Sequence, residues 1–478
     1  MTRIFFIFIL CCVSALFSEE PLQLSLVQAE ELAFSNNQQV QEIESLVEKA
    51  RLGHLISISD WLPKLELISQ AFQTQHNQMG GSNNKSSFLT QFLLTQTLFS
   101  AGKYYNLQIT NLIYKQLQWM KQGILNDVLY DIRNAYYKIL LDKNQIETAA
   151  THVEVLKALA LQMETRLGIG TATTFDVNQL QVAVSNALSV YYKAVKTLKV
   201  DLDIFTKLLG YDPGSIRIEV AEETIPLESI PFLREKLGKQ HDVFLKTPVA
   251  TGLIFPPSNP ERQIEWINCL FTPDEIKEWE RIALKFRPDV LQTENQWKIA
   301  LKEVSKARGE YLPKVEFQAN YGGFPTPFDE YPRSSFSNQD FEWGVGVTLK
   351  WNLFDSFKRE REISSNKATA QAEKSKLNSH IQEALKDVRD QIFSIENAIA
   401  TNVSSEGTVK LAKQALAQAE EKLEIGYISI FDYQIAVNNY IEAMNIYFDS
   451  QFELINSYYL LRHATGIDVK PKENNIHE

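Results

Sequence analysis

Two short stretches of this sequence nearly repeat one another, and their spacing constrains the fold more than any other feature. RLGIGTATTFD runs from Arg166 to Asp176, and KLEIGYISIFD runs from Lys422 to Asp432, 256 residues later. Each stretch follows a long amphipathic segment, and one glycine in each, Gly170 or Gly426, supplies the positive-φ residue that ends many helices. The aspartate falls where the next helix begins, so its carboxylate can cap or charge the first turn. The two stretches therefore predict two helical hairpins with matching tips, and a duplicated chain.

The duplication extends over most of the chain. Each copy begins with a helical pattern, which runs from 26 to 55 in the first copy, and this pattern stops at Leu-Pro-Lys. The residue before a proline is disfavoured in a helix, which explains the stop. Apolar and polar residues then alternate with a period of two, which predicts a pair of strands in each copy. A long proline-free segment leads to each tip, and in the second copy its apolar residues step by three and four, as in a coiled coil.

We therefore divide the chain into five parts. They are a signal peptide at 1–18; a first repeat at 19–210, with its strand pair at 64–98 and its tip near 168–176; a proline-rich insert at 211–278, expected to be a surface connection; a second repeat at 279–468, with its strand pair at 314–353 and its tip near 424–432; and a disordered tail at 469–478.

The N-terminus has the pattern of a secretory signal. Arg3 precedes an apolar run, 4–17, which is too short to span a bilayer and is followed by two glutamates. Cleavage after Ala15 and cleavage after Ser18 both fit the pattern. No other run reaches about 18 apolar residues, so a crossing of the membrane would have to use strands.

Composition excludes several classes of function. The net charge of −11 gives no support to a nucleic-acid partner. The sequence lacks HExxH, GxSxG, GxGxxG and phosphate-loop motifs, and no two of its seven histidines have the spacing of metal ligands. We therefore expect no enzyme activity, cofactor or metal. Once the signal is removed Cys269 is the only cysteine, so no disulfide can form within the chain.

The order of these features resembles that of the TolC family of bacterial outer membrane efflux proteins. The resemblance runs from about Leu26 to Asp468, and it rests on the repeated order rather than on any single motif. It implies a mainly α fold with some β: long coiled-coil hairpins that form an α-barrel tunnel, and four transmembrane strands per chain in a trimeric twelve-strand β-barrel. Two strand pairs cannot close such a barrel alone, since about eight strands is the minimum.

The same resemblance implies a function and a set of partners. The chain would be the outer membrane channel-tunnel of a tripartite efflux or type I secretion system, and would passively export small molecules or proteins. It would form a homotrimer in outer membrane lipid, with its helical tunnel in the periplasm. A periplasmic adaptor and an inner membrane transporter would be its partners. The alternative is a periplasmic coiled-coil structural or adaptor-like protein without a pore, which leaves the one-sided strands unexplained.

The resemblance also implies site residues at the tips. Asp432 matches the first of a pair of gating aspartates in the family, and Asp176 matches the acidic residue of the first tip. Ile435 stands where the family has the second aspartate, and Leu423 and Ile428 stand where it has a bonding tyrosine and arginine. The periplasmic constriction would therefore be less polar than the family pattern, and apolar packing is an alternative to a polar latch.

Two further sets of residues are candidates for contacts with other molecules. Trp343 and Trp351 lie near strand ends, where an interfacial membrane girdle and ordinary packing are both open. Small and exposed residues at the tips are expected to dock the adaptor, and these are Gly168, Gly170, Thr171, Gly426 and Tyr427.

Overall fold

A computed structural model describes residues 22–78, 81–222, 224–246, 270–323, 326–327 and 341–468. The predicted signal peptide, the predicted tail from 469, Cys269 and part of the insert lie outside the described residues. The helices are α1 (Leu26–Asn36), α2 (Gln38–Ser59), α3 (Ala101–Gly168), α4 (Thr174–Leu208), α5 (Pro231–Lys246), α6 (Pro273–Phe286), α7 (Pro288–Gly309), α8 (Lys358–Glu424) and α9 (Ile430–Thr465). The strands are β1 (Leu22–Leu24), β2 (Lys64–Gln78), β3 (Gly81–Phe99), β4 (Ile218–Val220), β5 (Lys314–Gly323), β6 (Thr326–Pro327) and β7 (Phe341–Lys350).

The chain divides into two compact units, each built from both copies of the repeat. The sheet unit comprises Ile43–Lys121 and Pro288–Ile381. The hairpin unit comprises Met1–Glu42, Gln122–Arg287 and Gln382–Glu478.

The sheet unit holds one antiparallel sheet in the order β2-β3-β5-β7, with the short β6 beside β3. The pairing of β3 with β5 joins the two copies, with Gln91 opposite Gly322 and Thr95 opposite Gln318. The strands β2 and β7 are the end strands of this sheet. Every strand pair predicted from the sequence is present.

The strand ends differ from the sequence prediction. The sequence pattern predicts strands at 64–74 and 87–98 with a loop between them, whereas β2 extends to Gln78 and β3 begins at Gly81. Backbone pairing continues there through polar residues, because a ladder of backbone hydrogen bonds needs no apolar alternation. The last strand ends at Lys350 and not at the predicted 353. Further along the chain, before the next helix, Ser356 and Phe357 have positive φ angles of 60° and 65°.

The first predicted helix is interrupted at Asn37. This residue has φ −63° and ψ 128°, which are extended values, and its side chain replaces the hydrogen bonds lost at the break. Its Nδ2 donates to the carbonyl of Leu208 at 2.9 Å, and its Oδ1 accepts from the amide of Gln39 at 2.9 Å. The second copy breaks at the corresponding Arg287, which precedes a proline and has ψ 118°.

The core of the hairpin unit combines both copies with the insert. Tyr136, Phe205, Ile392 and Leu454, from α3, α4, α8 and α9, are all fully buried in one cluster. Residues of the insert join the same cluster, and they include Leu227, Leu233, Leu270 and Phe271. The strand β4 also pairs in parallel with β1. The expectation of a surface connection is therefore wrong for this part of the insert, because its apolar residues are buried in the core.

Candidate functional site: the hairpin tips and the sheet

The two tips end their long helices with the same turn. At the first tip, the amide of Gly170 donates to the carbonyl of Leu167 at 2.9 Å and that of Thr171 donates to Arg166 at 2.9 Å. At the second, Gly426 donates to Leu423 at 3.1 Å and Tyr427 donates to Lys422 at 2.8 Å. This is the Schellman pattern, and it needs a left-handed residue. Gly170 and Gly426 meet that need, with φ of 77° and 73°.

The returning helices begin with matching capping boxes. Thr173 and Ser429 are the cap residues, and Asp176 and Asp432 occupy the third helical position. Each aspartate accepts a hydrogen bond from the cap hydroxyl, at 2.8 Å and 2.7 Å, and one from the cap amide, at 2.9 Å and 3.0 Å. The aspartates therefore hold the first turn from inside the helix rather than from the N-cap position itself.

These hydrogen bonds set the charge of both carboxyl groups. The cap hydroxyl and the cap amide of Ser429 lower the pKa of Asp432. The backbone amide and the hydroxyl of Thr173 lower the pKa of Asp176 in the same way. Both groups are therefore anionic at neutral pH, and Asp432 is exposed.

The two tips pack against each other. Ile430, at the start of α9, is 2% exposed and lies in an apolar cluster with Leu156 of α3 and Leu180 of α4. Leu423, a predicted constriction residue, packs against this cluster. Ile428 is half-buried, whereas Ile435 is 57% exposed and is available to another molecule. The structure thus places Leu423 in packing within the chain and leaves Ile435 and Asp432 on the surface.

The predicted docking residues lie on the exposed turns. Gly168, Gly170, Thr171 and Gly426 are all exposed, and Tyr427 is 76% exposed. Two isoleucines that the sequence analysis did not single out accompany them at equivalent positions, and these are Ile169 and Ile425, exposed by 71% and 74%. Their spacing of 256 residues is the signal that could have identified them.

The sheet carries a continuous apolar face. The register aligns Leu67, Phe92, Tyr321 and Trp343 in one row across the four strands. A second row aligns Leu65, Leu94, Ala319 and Val345. Seven of these eight residues are apolar or aromatic chains larger than alanine. Four of the eight lie on the end strands and are 60–76% exposed, and these four are Leu65, Leu67, Trp343 and Val345.

The two tryptophans have different surroundings. Trp343 lies in the apolar row and is 76% exposed, with no side chain of the described residues stacked on it. Trp351 follows the end of β7 and donates its indole N–H to the carbonyl of Tyr311 at 3.0 Å. It also lines a cavity of about 180 Å³ together with Arg359. Trp351 therefore has a packing role within the chain, whereas Trp343 does not.

A pair of cations at equivalent positions was missed by the sequence analysis. Lys103 donates from Nζ to the carbonyl of Asp60 at 2.9 Å, and Arg359, 256 residues later, donates from Nη1 to the carbonyl of Glu310 at 3.3 Å. Arg359 also donates to Asn352 at 2.9 Å and lies 4.5 Å from the centre of the Tyr311 ring. Each cation ties the start of a long helix to the turn before its strand pair.

Two other kinds of feature, a metal site and a membrane-spanning helix, are absent from the residues that the structure describes. No group of three or more His, Cys, Asp or Glu side chains in that part of the chain has the geometry to hold a metal ion. None of the helices described is long and apolar enough to cross a membrane.

Several solved structures share this fold. A membrane protein from Pseudomonas aeruginosa matches with a TM-score of 0.72 at 16% identity, over 92% of this chain and 93% of that one. The CmeC outer membrane channel of Campylobacter jejuni matches with 0.73 at 14% identity, over 94% and 87%. The outer membrane protein VceC of Vibrio cholerae matches with 0.70 at 15% identity, over 92% and 96%. No curated protein matches the chain.

Long helical hairpins with duplicated tips and a four-strand sheet define the fold that this chain shares with these solved structures. Residues 279–466, which cover the second repeat, match the model of the family described as Outer membrane efflux protein. The second repeat therefore matches the model of that family, and the predicted resemblance of the chain to TolC-family channels is confirmed by that match and by the shared fold. The predicted fold class is confirmed as well, as long helical hairpins with a strand portion.

Proposed function

We propose that this chain is one subunit of a homotrimeric outer membrane channel, which passively exports small molecules or proteins received from a periplasmic pump. The observation that carries the proposal is the four-strand sheet, which exposes two apolar rows and has β2 and β7 as open ends. An end strand leaves backbone N–H and C=O groups unpaired, and hydrocarbon does not tolerate such groups. Pairing β7 of one copy with β2 of the next removes every open edge in a ring of three.

The apolar rows support a lipid-facing surface for that ring. A sheet in water rarely exposes a contiguous apolar face of this extent. A transmembrane barrel requires one, with aromatic residues near the lipid headgroups. Trp343 fits such a girdle by its position and exposure, whereas Trp351 is held by the carbonyl of Tyr311. A pore-free coiled-coil protein gives no reason for these rows.

The tips support the contacts of the channel with its pump. Gly170 and Gly426 keep both turns narrow, and the isoleucines beside them offer apolar surface to a partner helix. We assign this surface to the periplasmic adaptor, which would connect the channel to an inner membrane transporter. Asp432 and Ile435 would line the constriction inside the ring, and Leu423 and Ile428 would hold the tips closed from within each chain.

Cysteine labelling of intact cells tests the orientation. In a Cys269→Ser background, two cysteines should react with an impermeant maleimide on intact cells. One replaces Ser82, at the start of β3, and the other replaces Ser335, which lies outside the described residues between the strands of the second pair. A cysteine at Thr171 is the matched control and should react only after the outer membrane is permeabilised. Labelling in the reverse order would place the strand turns in the periplasm and would overturn the proposal.

Crosslinking tests the docking surface separately. A photoreactive residue at Thr171 or Tyr427 should capture a periplasmic adaptor, whereas one at the exposed Val182, further along α4, should not. Capture from Val182 alone would remove the tips from the docking surface while leaving the channel assignment intact.

A further inference from the structure

One buried carboxyl group in the first hairpin has no donor for either of its oxygens. Asp142, on α3, has a side chain that is 1% exposed. Neither of its carboxylate oxygens accepts a hydrogen bond from the described residues. The nearest cation is the Nζ of Lys138, 3.9 Å away and one turn earlier on the same helix. A buried carboxylate with so little compensation is unfavourable in its charged form.

A second carboxyl group faces it from the neighbouring helix. Asp201, on α4, is half-buried and lies within hydrogen-bonding reach of Asp142. Burial first, and then the bond to Asp201 and its charge, raise the pKa of Asp142 to about 7, while Lys138 lowers it. Two carboxyl groups in contact hold a proton between them more readily than either does alone.

A third helix, α9, also lies near Lys138, and it does not supply a compensating positive charge. Lys138 lies 5.4 Å from the centre of the Phe452 ring on α9 and also interacts with Asp449 there. The one amine is therefore shared between two carboxyl groups, those of Asp142 and Asp449. The next lysine along α3, Lys143, points to β4, where its Nζ donates to the carbonyl of Val220 at 3.4 Å.

The second hairpin lacks this pair. The positions 256 residues later are Ala398 and Ser457, which are 3% and 9% exposed. Both are buried, as Asp142 is, so the fold accommodates small neutral residues at these positions. The acidic pair is therefore a property of the first hairpin and is not demanded by the helical packing.

We propose that Asp142 and Asp201 share a single proton, and that this proton joins α3 to α4. In the protonated pair, the O–H of one carboxyl donates to the carboxylate oxygen of the other. Loss of the proton to solvent leaves two like charges across a buried helix contact. The first hairpin is thus held more firmly in acid than in base by a pair of carboxyl groups, and the second hairpin has no acidic pair at the equivalent positions.

Hydrogen exchange measures the opening of the hairpin directly. Purified full-length protein is exchanged between pH 5 and pH 9, and the rates of peptides from 197–205 are divided by the intrinsic rate at each pH. The closed contact between α3 and α4 binds one proton that the opened form releases. The equilibrium constant for opening should therefore rise by up to about tenfold per pH unit. We expect this rise between about pH 5 and about pH 7, the pKa of Asp142, and a plateau above.

Two variants make the test specific. Asp142→Asn should abolish the slope in these peptides, as should the double change Asp142→Ala with Asp201→Ser, which installs the residues of the second hairpin. Asp203→Asn is the matched control, because Asp203 is an exposed aspartate two residues away on α4, and it should keep the slope. A flat wild-type profile, or equal slopes in wild type and Asp142→Asn, would overturn the proposal.

Infrared titration of the wild-type protein supplies a second measurement that does not depend on the folding of a variant. The band of a protonated carboxylic acid should lose intensity near pH 7 in the wild type, and this loss should remain in Asp203→Asn. Part of it should also remain in Glu396→Gln, which removes the other buried carboxyl group with a pKa raised to about 7. Absence of any carboxylic-acid band above pH 6 would contradict a shared proton.

Discussion

The hydroxyl of Ser429 lies 2.7 Å from the carboxylate of Asp432 and accepts the amide of Asp432 at 3.1 Å, so one serine binds the aspartate at both its side chain and its backbone. The same carboxylate is exposed at the tip. In a threefold assembly it would become a ring of three charges. The cap and the ring can therefore be separated by changing one partner at a time.

Asp432→Ala should weaken the cation preference of the channel and its block by multivalent cations from the periplasmic side. Charged rings attract counter-ions, and removal of the ring removes that attraction. Ser429→Ala is the control, since it breaks the cap but keeps the carboxylate charged at pH 7. Bilayer recordings should show altered selectivity in the first variant only. Equal selectivity in Asp432→Ala and wild type would leave Asp432 as a helix cap.

Asp176→Ala should affect the first hairpin more than the pore. Its carboxylate accepts both the amide and the hydroxyl of Thr173, so its loss frees two donors at the start of α4. Faster hydrogen exchange in 173–178 with unchanged ion selectivity is the expected result. A shift in selectivity as large as that of Asp432→Ala would place both tips at the constriction.

Gly210→Ala should be far more destabilising than Gly170→Ala. Both glycines have positive φ, at 85° and 77°, so either alanine incurs roughly 1–2 kcal/mol of backbone strain. At Gly210 the added Cβ would also lie 2.6 Å from the carbonyl carbon of Asn36, whereas at Gly170 it meets nothing within 4 Å. The thermal unfolding midpoint of Gly210→Ala should fall well below that of Gly170→Ala. Equal midpoints would show that the α1–α4 contact relaxes freely.

Glu396→Gln should stabilise the protein above neutral pH. Glu396 is 3% exposed on α8, and burial raises its pKa to about 7 against the opposing effects of the Phe271 amide and Lys236. A raised carboxyl pKa means that the stabilisation by the bound proton is complete below the unfolded value near 4.5 and is lost as pH rises through 7. We expect the variant to gain roughly 1–3 kcal/mol at pH 8 and nothing at pH 4.5. Midpoints that stay parallel from pH 4.5 to pH 8 would contradict this.

The sequence was sufficient for features that depend on local chemistry. The glycines of both tips, the helix stops before Leu-Pro-Lys and the alternation in the strands follow from backbone preferences of a few neighbouring residues. Repetition at a constant spacing then made the pattern specific.

Features that depend on distant partners were not predictable. Asn37 interrupts its helix because the carbonyl of Leu208 lies within reach, and the insert enters the core because Leu233 and Phe271 meet α8. Leu423 belongs to the packing of the tips, which the sequence could not distinguish from a residue facing a pore. Lys103 and Arg359 had a usable signal, since they share the spacing of the repeat.

The most direct test of the channel assignment is planar-bilayer recording with the purified protein, after its oligomeric state in detergent has been measured by native mass spectrometry. The trimer should produce discrete, repeated conductance steps with a reversal potential that favours cations. A stable trimer that inserts without any conductance, or a protein that is only monomeric in outer membrane extracts, would contradict the account.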